Sequence, residues 1–276
     1  MLIRSHSKLP LISCLLVTAG GRFEYFKRSV ACYKDQTYPN RELVIVNEGP
    51  KKYQDRIAEH VADMDDVKLI FLDGFYTLGA LRNISMSACN GDIWVQWDDD
   101  DFNIPERIST QYSFLSRNSK TKVCYLADQL HYYWPTQELY WENWLEYASG
   151  GKKKWGLIPG TCMAYRGTRA RYPSAGDFAS AGEDSIFSNW LVDKTYDEVQ
   201  LLSGRGYMQV YSYHGKNVWD INHHSQISKH RSHSIGFMRQ NQGKIWKTLD
   251  HLKFAEEIKV MGREGLAFVY RGDGVV

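Results

Sequence analysis

From Leu11 to Trp97 the chain alternates short apolar runs with segments of helical spacing, and each apolar run is closed by glycine, asparagine or aspartate. Leu11–Thr18 is rich in strand formers and is followed by Gly20 and Gly21, after which Phe23–Tyr33 carries apolar residues at helical spacing. A turn at Tyr38, Pro39 and Asn40 leads into Glu42–Asn47, where Leu43, Val44, Ile45 and Val46 form the unbroken apolar run of a strand covered on both faces. Tyr53–Met64 predicts a second helix, Val67–Leu72 a third strand, Leu78–Ala88 a third helix and Asp92–Trp97 a fourth strand. Such alternation specifies an open, mostly parallel, Rossmann-like α/β sheet flanked by helices. In sheets of this kind ligands collect at the carboxyl ends of the strands, which is where Gly20, Asn47–Gly49, Asp73 and Asp98–Asp101 fall.

Beyond Pro105 the spacing predicts a helix reaching Leu115, then strands at Val123–Leu126, Cys162–Tyr165 and Met208–Ser212. Residues 235–276 read as an extension packed on the same domain, with one or two amphipathic helices over Ile235–Met261. Pairing of subunits or contact with a membrane surface are the other uses of such an apolar face. One domain is expected over 1–234, with a nucleotide-binding half at about 9–105 and an acceptor half at about 106–234.

A hydrophobic fraction of 43% against 24% charged residues supports a packed core. The net charge of +2, with basic residues dispersed apart from Lys152–Lys154, gives no footprint for nucleic acid, and no such partner is expected. Cys14, Cys32, Cys89, Cys124 and Cys162 are odd in number and widely spaced, which reads as buried thiols in a reducing compartment. Pro10 and Ser13 interrupt the first apolar stretch, so it predicts a strand rather than a signal peptide. The expected location is the cytoplasm, with any membrane association peripheral.

Asp98, Asp99, Asp100 and Asp101 follow the apolar strand directly. Four adjacent carboxylates at a buried sheet edge repel one another and require a countercharge, and a divalent cation with hard oxygen ligands, Mg2+ or Mn2+, supplies it. An acidic loop capping the following helix is the alternative reading. The Glu183–Asp184 pair opens a second segment of helical spacing. Alone it would be an N-cap; beside a donor site it offers a general base for an acceptor hydroxyl.

Together these stretches resemble a family 2 glycosyltransferase of the GT-A fold. The likeness runs from Pro10 to about Leu191 and rests on Pro10–Thr18, Gln36–Asn40, Glu42–Val46, Gly79 with Arg82 and Asn83, Gly91 with Asp92, the acidic run, and Gly182–Asp184. The resemblance implies that Asp98 contacts the donor ribose and that Asp100 ligates the metal with Asp101 assisting; Asp99 is counted with the donor-binding residues and is the least expected of the four to touch the metal. It implies that Asp184 is the base and that Glu183 orients it or the acceptor, that Thr18 lines the base and ribose pocket, and that Arg82 and Asn83 approach the nucleotide. Where the family has an Asp-Asp-Gly-Ser-like turn, this chain has Asn47, Glu48, Gly49 and Pro50, leaving Glu48 as the hydrogen-bond acceptor. Some relatives add a late histidine to the metal; His214 is the candidate, with a surface turn as its plain alternative. Lys216 is placed to face the departing diphosphate, and Gly156–Thr161 to join the two halves.

The aromatics Tyr132, Tyr133, Trp134, Trp141, Trp144 and Trp155 offer either sugar stacking or core packing. His223 and His224 are adjacent and unsuited to sharing one ion, His230 and His233 are candidate phosphate contacts, and Ser225–Ser234 has the composition of a closing loop. The expected activity is metal-dependent, inverting transfer from a nucleotide diphosphate sugar, a UDP-sugar by preference, to a hydroxyl of a glycan, lipid-linked or protein-linked acceptor. A sugar-1-phosphate nucleotidyltransferase, or a non-catalytic metal- or glycan-binding module, is the competing expectation.

Overall fold

The computed structural model describes residues 9–145, 157–168, 170–195, 198–254 and 257–272. Trp155, Gly156 and the Lys152–Lys154 run lie outside them. β1 (Ile12–Thr18), β2 (Arg41–Asn47), β3 (Val67–Phe71) and β4 (Ile93–Gln96) are parallel, joined by α1 (Phe23–Lys34), α2 (Lys51–His60) and α3 (Leu78–Ala88). Leu43, Val44, Ile45 and Val46 are fully buried, as a strand with both faces covered requires. β6 (Val123–Leu126), β9 (Met163–Tyr165) and β10 (Val199–Leu202) complete a seven-stranded sheet in the order β10-β6-β9-β4-β1-β2-β3. β9 runs antiparallel between β4 and β6 and so brings the later half of the chain against the acidic run.

A second, six-stranded mixed sheet was not legible in the sequence. β5 (Phe102–Asn103), β7 (Asp128–Tyr133), β8 (Glu138–Asn143), β11 (Gln209–Tyr213), β12 (Glu257–Gly262) and β13 (Gly265–Arg271) lie in the order β13-β12-β8-β7-β11-β5. Its β5 follows the acidic run directly, and α4 (Arg107–Leu115) starts soon after. Arg107, fully buried at the start of that helix, donates to Asn103 Oδ1 and Gln111 Oε1 and to the carbonyls of Gln96 and Gly160. One side chain thus ties both sheets together below the acidic residues.

The C-terminal extension is a correction to the helical expectation. α7 (Ile235–Gln240) and α8 (Gln242–His251) form, but Glu257–Gly262 is a strand that pairs parallel with β8 and antiparallel with β13. Its residues alternate between exposed and buried, a period of two that a helix cannot satisfy. Ile245, Leu249, Ile258 and Val260 are fully buried against the remaining core. No helix among the described residues is long and apolar enough to cross a membrane.

Ser225–Ser234 is likewise not an open loop. α6 (Ile221–Arg231) is capped by the Asp220 side chain, which accepts from the His223 N–H. Its Ser228 donates to Glu142 Oε1 at 2.7 Å, and the same buried carboxylate accepts from His131 Nδ1 at 2.8 Å. Despite burial, those partners hold Glu142 down to about 2. Neighbouring His224 is pushed down to about 4 by burial and by the charges of His131 and His223, so it is neutral at pH 7. All five cysteines are buried free thiols.

Candidate active site

The four consecutive aspartates diverge. Asp98 accepts from Arg82 Nη1 at 3.1 Å and from Gln96 Nε2 at 2.9 Å. Asp100 accepts from Arg22 Nη1 at 2.7 Å and lies 3.1 Å from His214 Nε2. Asp99 Oδ1 is 3.2 Å from Arg22 Nη2, while its buried Oδ2 accepts no hydrogen bond. Asp101 turns inward, where Gln209 Nε2 donates to one oxygen at 2.9 Å and the Ser212 N–H to the other at 3.2 Å. Gly160 makes room for this: a Cβ there would stand 2.8 Å from Asp98 Oδ2.

The charges follow from these partners. Burial, reinforced by the Asp100 and Asp98 charges, raises the Asp99 and Asp101 carboxyls. Burial presses on the half-buried Asp100 as well, but the His214 hydrogen bond and Arg22 hold it below the usual aspartate value. Burial also raises Asp184 and Glu183, with Arg82 opposing in both cases.

Arg82 is the hinge of the arrangement. From α3 its Nε donates to Glu183 Oε1 at 3.0 Å, while its Nη1 reaches Asp98. Glu183 and Asp184 open α5 (Glu183–Thr195), where the Ser185 N–H donates to Asp184 Oδ1 at 2.6 Å. Asp98, Asp99, Asp100, Arg22, Arg82, Glu183 and Asp184 thereby line one cavity of 140 Å3, which Tyr211, Asn217 and Trp219 close on the far side. That is below the roughly 300 Å3 typical of a drug-sized ligand's pocket. We expect Arg82→Met to leave two carboxylates without their buried counterion, lowering stability by about 3 kcal/mol in urea unfolding and weakening donor binding in calorimetry.

Other expected contacts fall outside the cavity. Thr18 is buried at the end of β1 with its hydroxyl 3.2 Å from that of Tyr53. Glu48 accepts from the Tyr76 N–H at 2.7 Å and so ties the β2 turn to the loop before α3. Asn83 spends both ends of its amide on the backbone of Tyr172, at 2.9 Å each, and does not line the cavity. Tyr132, Tyr133 and Trp141 are core residues, whereas Trp134 is partly buried. Arg22, Tyr211, Asn217 and Trp219 line the cavity without having been singled out in the sequence. A basic residue closing the glycine loop was the available signal for Arg22, while Trp219 carried none.

His214 is buried, and Asn217 fixes it by accepting from its N–H at 2.9 Å while donating to the Ser212 carbonyl at 2.9 Å. The donors suit a divalent cation: carboxylate oxygens on Asp99 and Asp100, one of them buried without a partner, and an imidazole facing the second. Among the described residues, however, no three His, Cys, Asp or Glu side chains already converge on one point, and Arg22 lies on the two carboxylates instead.

The model of the family described as "Glycosyl transferase family 2" matches residues 14–172, more than half of the chain. An uncharacterized glycosyltransferase of Haemophilus influenzae is 28% identical over 111 residues, covering 40% of this chain and 44% of that protein. A glucosyl-dolichyl phosphate glucuronosyltransferase of Haloferax volcanii is 34% identical over 89 residues, covering 32% of this chain and 28% of that one. The chain therefore spans less than half the length of these curated relatives. Among solved structures, S. aureus TarS 1-349 in complex with UDP-GlcNAc superposes with a TM-score of 0.56 at 13% identity, covering 87% of this chain and 72% of that one. The mannosyltransferase PcManGT from Pyrobaculum calidifontis, in complex with GDP-Man and Mn2+, gives 0.53 at 11% identity, covering 77% and 59%. The architecture is the GT-A fold anticipated from the alternation of strands and helices, and the chain belongs to glycosyl transferase family 2.

Proposed function

We propose that the protein transfers a sugar from a nucleotide diphosphate sugar, a UDP-sugar by preference, to a hydroxyl of a glycan, lipid-linked or protein-linked acceptor, with inversion and with dependence on Mn2+ or Mg2+. The observation that carries this reading is the Asp98–Arg82–Glu183 chain, which joins the donor-side acids to the acceptor-side pair across one cavity. An acidic cluster that merely capped a helix would have no reason to meet a second acidic pair there.

Asp98 faces the donor side, where Arg82 and Gln96 hold it. Asp184 takes the acceptor hydroxyl's proton as the acceptor oxygen bonds to the anomeric carbon. The bond from that carbon to the diphosphate oxygen breaks, and its electron pair leaves with the diphosphate. Asp100 and His214, with Asp99, would hold the cation, which when bound neutralises charge on the diphosphate. Burial raises the proton affinity of Asp184, the Asp98 charge adds to it, and Arg82 opposes both. The UDP-GlcNAc and GDP-Man bound by the two structural neighbours support a nucleotide-sugar donor.

A thermal-shift screen of UDP- and GDP-sugars with and without Mn2+ tests the reading, because a ligand bound only by the folded state raises the melting temperature by mass action. A shift that needs both nucleotide and metal is expected. No shift with any nucleotide sugar would remove the proposal.

A further inference from the structure

Arg22 stands where two cavities meet. On one side it lines the 140 Å3 cavity of the acidic residues. On the other it lines a cavity of 490 Å3 with Phe23, Arg28, Tyr53, Arg56 and Trp134. It follows Gly20 and Gly21, and Gly21 holds a φ of 95°, a left-handed backbone that disfavours any side chain and shapes the turn into α1.

The acidic residues differ in the partners that hold them. Asp98 has Arg82 and Gln96, and Asp101 has Gln209 and the Ser212 N–H. Asp99 and Asp100 share the single guanidinium of Arg22, and one Asp99 oxygen remains buried without a partner. His214 also faces Asp100, but one monovalent guanidinium serves two carboxylates, and a compact divalent ion satisfies them better.

We propose that Arg22 is a built-in counter-cation that holds Asp99 and Asp100 together until a divalent cation enters, and that the displaced guanidinium then passes to the donor's diphosphate. The inference rests on the transferase reading for its second half only. Its planar fork, which spans two carboxylates here, is equally matched to two phosphate oxygens. The second cavity gives the side chain an open flank on the side away from the carboxylates.

The two halves predict opposite signs in one variant. With nucleotide absent, Arg22→Gln should bind Mn2+ roughly three- to tenfold more tightly than the wild-type chain, because the ion no longer displaces a pair. At saturating Mn2+, the same variant should bind UDP about tenfold more weakly, having lost a charged fork on the diphosphate. Arg22→Lys keeps the charge without the fork and should fall between the two in both measurements. Isothermal titration of the full chain reads both constants, with a melting curve to show that each variant is folded. Unchanged or weaker Mn2+ binding by Arg22→Gln overturns the counter-cation. Tighter Mn2+ binding with unchanged or tighter UDP binding overturns the transfer to diphosphate. Should neither UDP nor GDP bind the wild-type chain, the transferase reading and the hand-over fail together, while the Mn2+ measurement still decides the first half.

Discussion

Asp184→Asn is expected to lower kcat by about two to four orders of magnitude, the usual contribution of a positioned general base, while UDP affinity stays within about twofold. Asparagine has the size of aspartate and its amide oxygen can still accept from the Ser185 N–H, so the start of α5 keeps its bond. What it loses is the capacity to take a proton. Burial holds the Asp184 carboxyl above the usual aspartate range, with Arg82 opposing. Only the ionised form acts as base, so activity should rise with pH through that raised value and be lost as pH falls below it. The asparagine variant should show no such limb in whatever turnover remains. Full turnover with an unaltered pH profile would assign the proton to another group.

Asp100→Ala should reduce Mn2+-dependent UDP binding by on the order of a hundredfold or more, since loss of even an outer-shell partner typically costs ten- to a hundredfold in metal affinity. The residue is the one place where the metal-side groups meet: Arg22 and His214 both reach it. Its removal takes away a charge that presses on Asp99 and Asp101, both of which burial and like charge already raise. Melting temperature should therefore fall little or not at all, which separates a binding defect from misfolding. Calorimetry with and without Mn2+ measures the loss, and equal UDP affinity in the variant at saturating Mn2+ would dismiss Asp100 as a metal ligand.

The two variants would test the division into donor side and acceptor side that the sequence suggests, and the electrostatics of the site were legible only in part. That the acidic run needs a cation could be read from four adjacent carboxylates. That two different arginines supply it could not, because Arg82 comes from a helix before the run and Arg22 from the loop after β1. Asp101 looked like its neighbours in sequence, yet β11 takes it inward through Gln209 and Ser212. The C-terminal strand was misread for a related reason. Ile258 and Met261 are three apart, which suits a helix, and only pairing with the distant β8 selects the extended form.

The sequence by itself determined the parallel sheet and the edge on which the acids collect, since local periodicity and the close packing of Leu43–Val46 leave one solution for those segments. Only the tertiary structure decided which acid faces which cation, because that depends on contacts between residues far apart in the chain. Tyr211, Trp219 and Asp184 reach one cavity through β11, the loop after it and α5, and no local pattern encodes their convergence. The four aspartates carry the same charge and adjoin in sequence; burial and the neighbours that the fold brings to each give them different tasks.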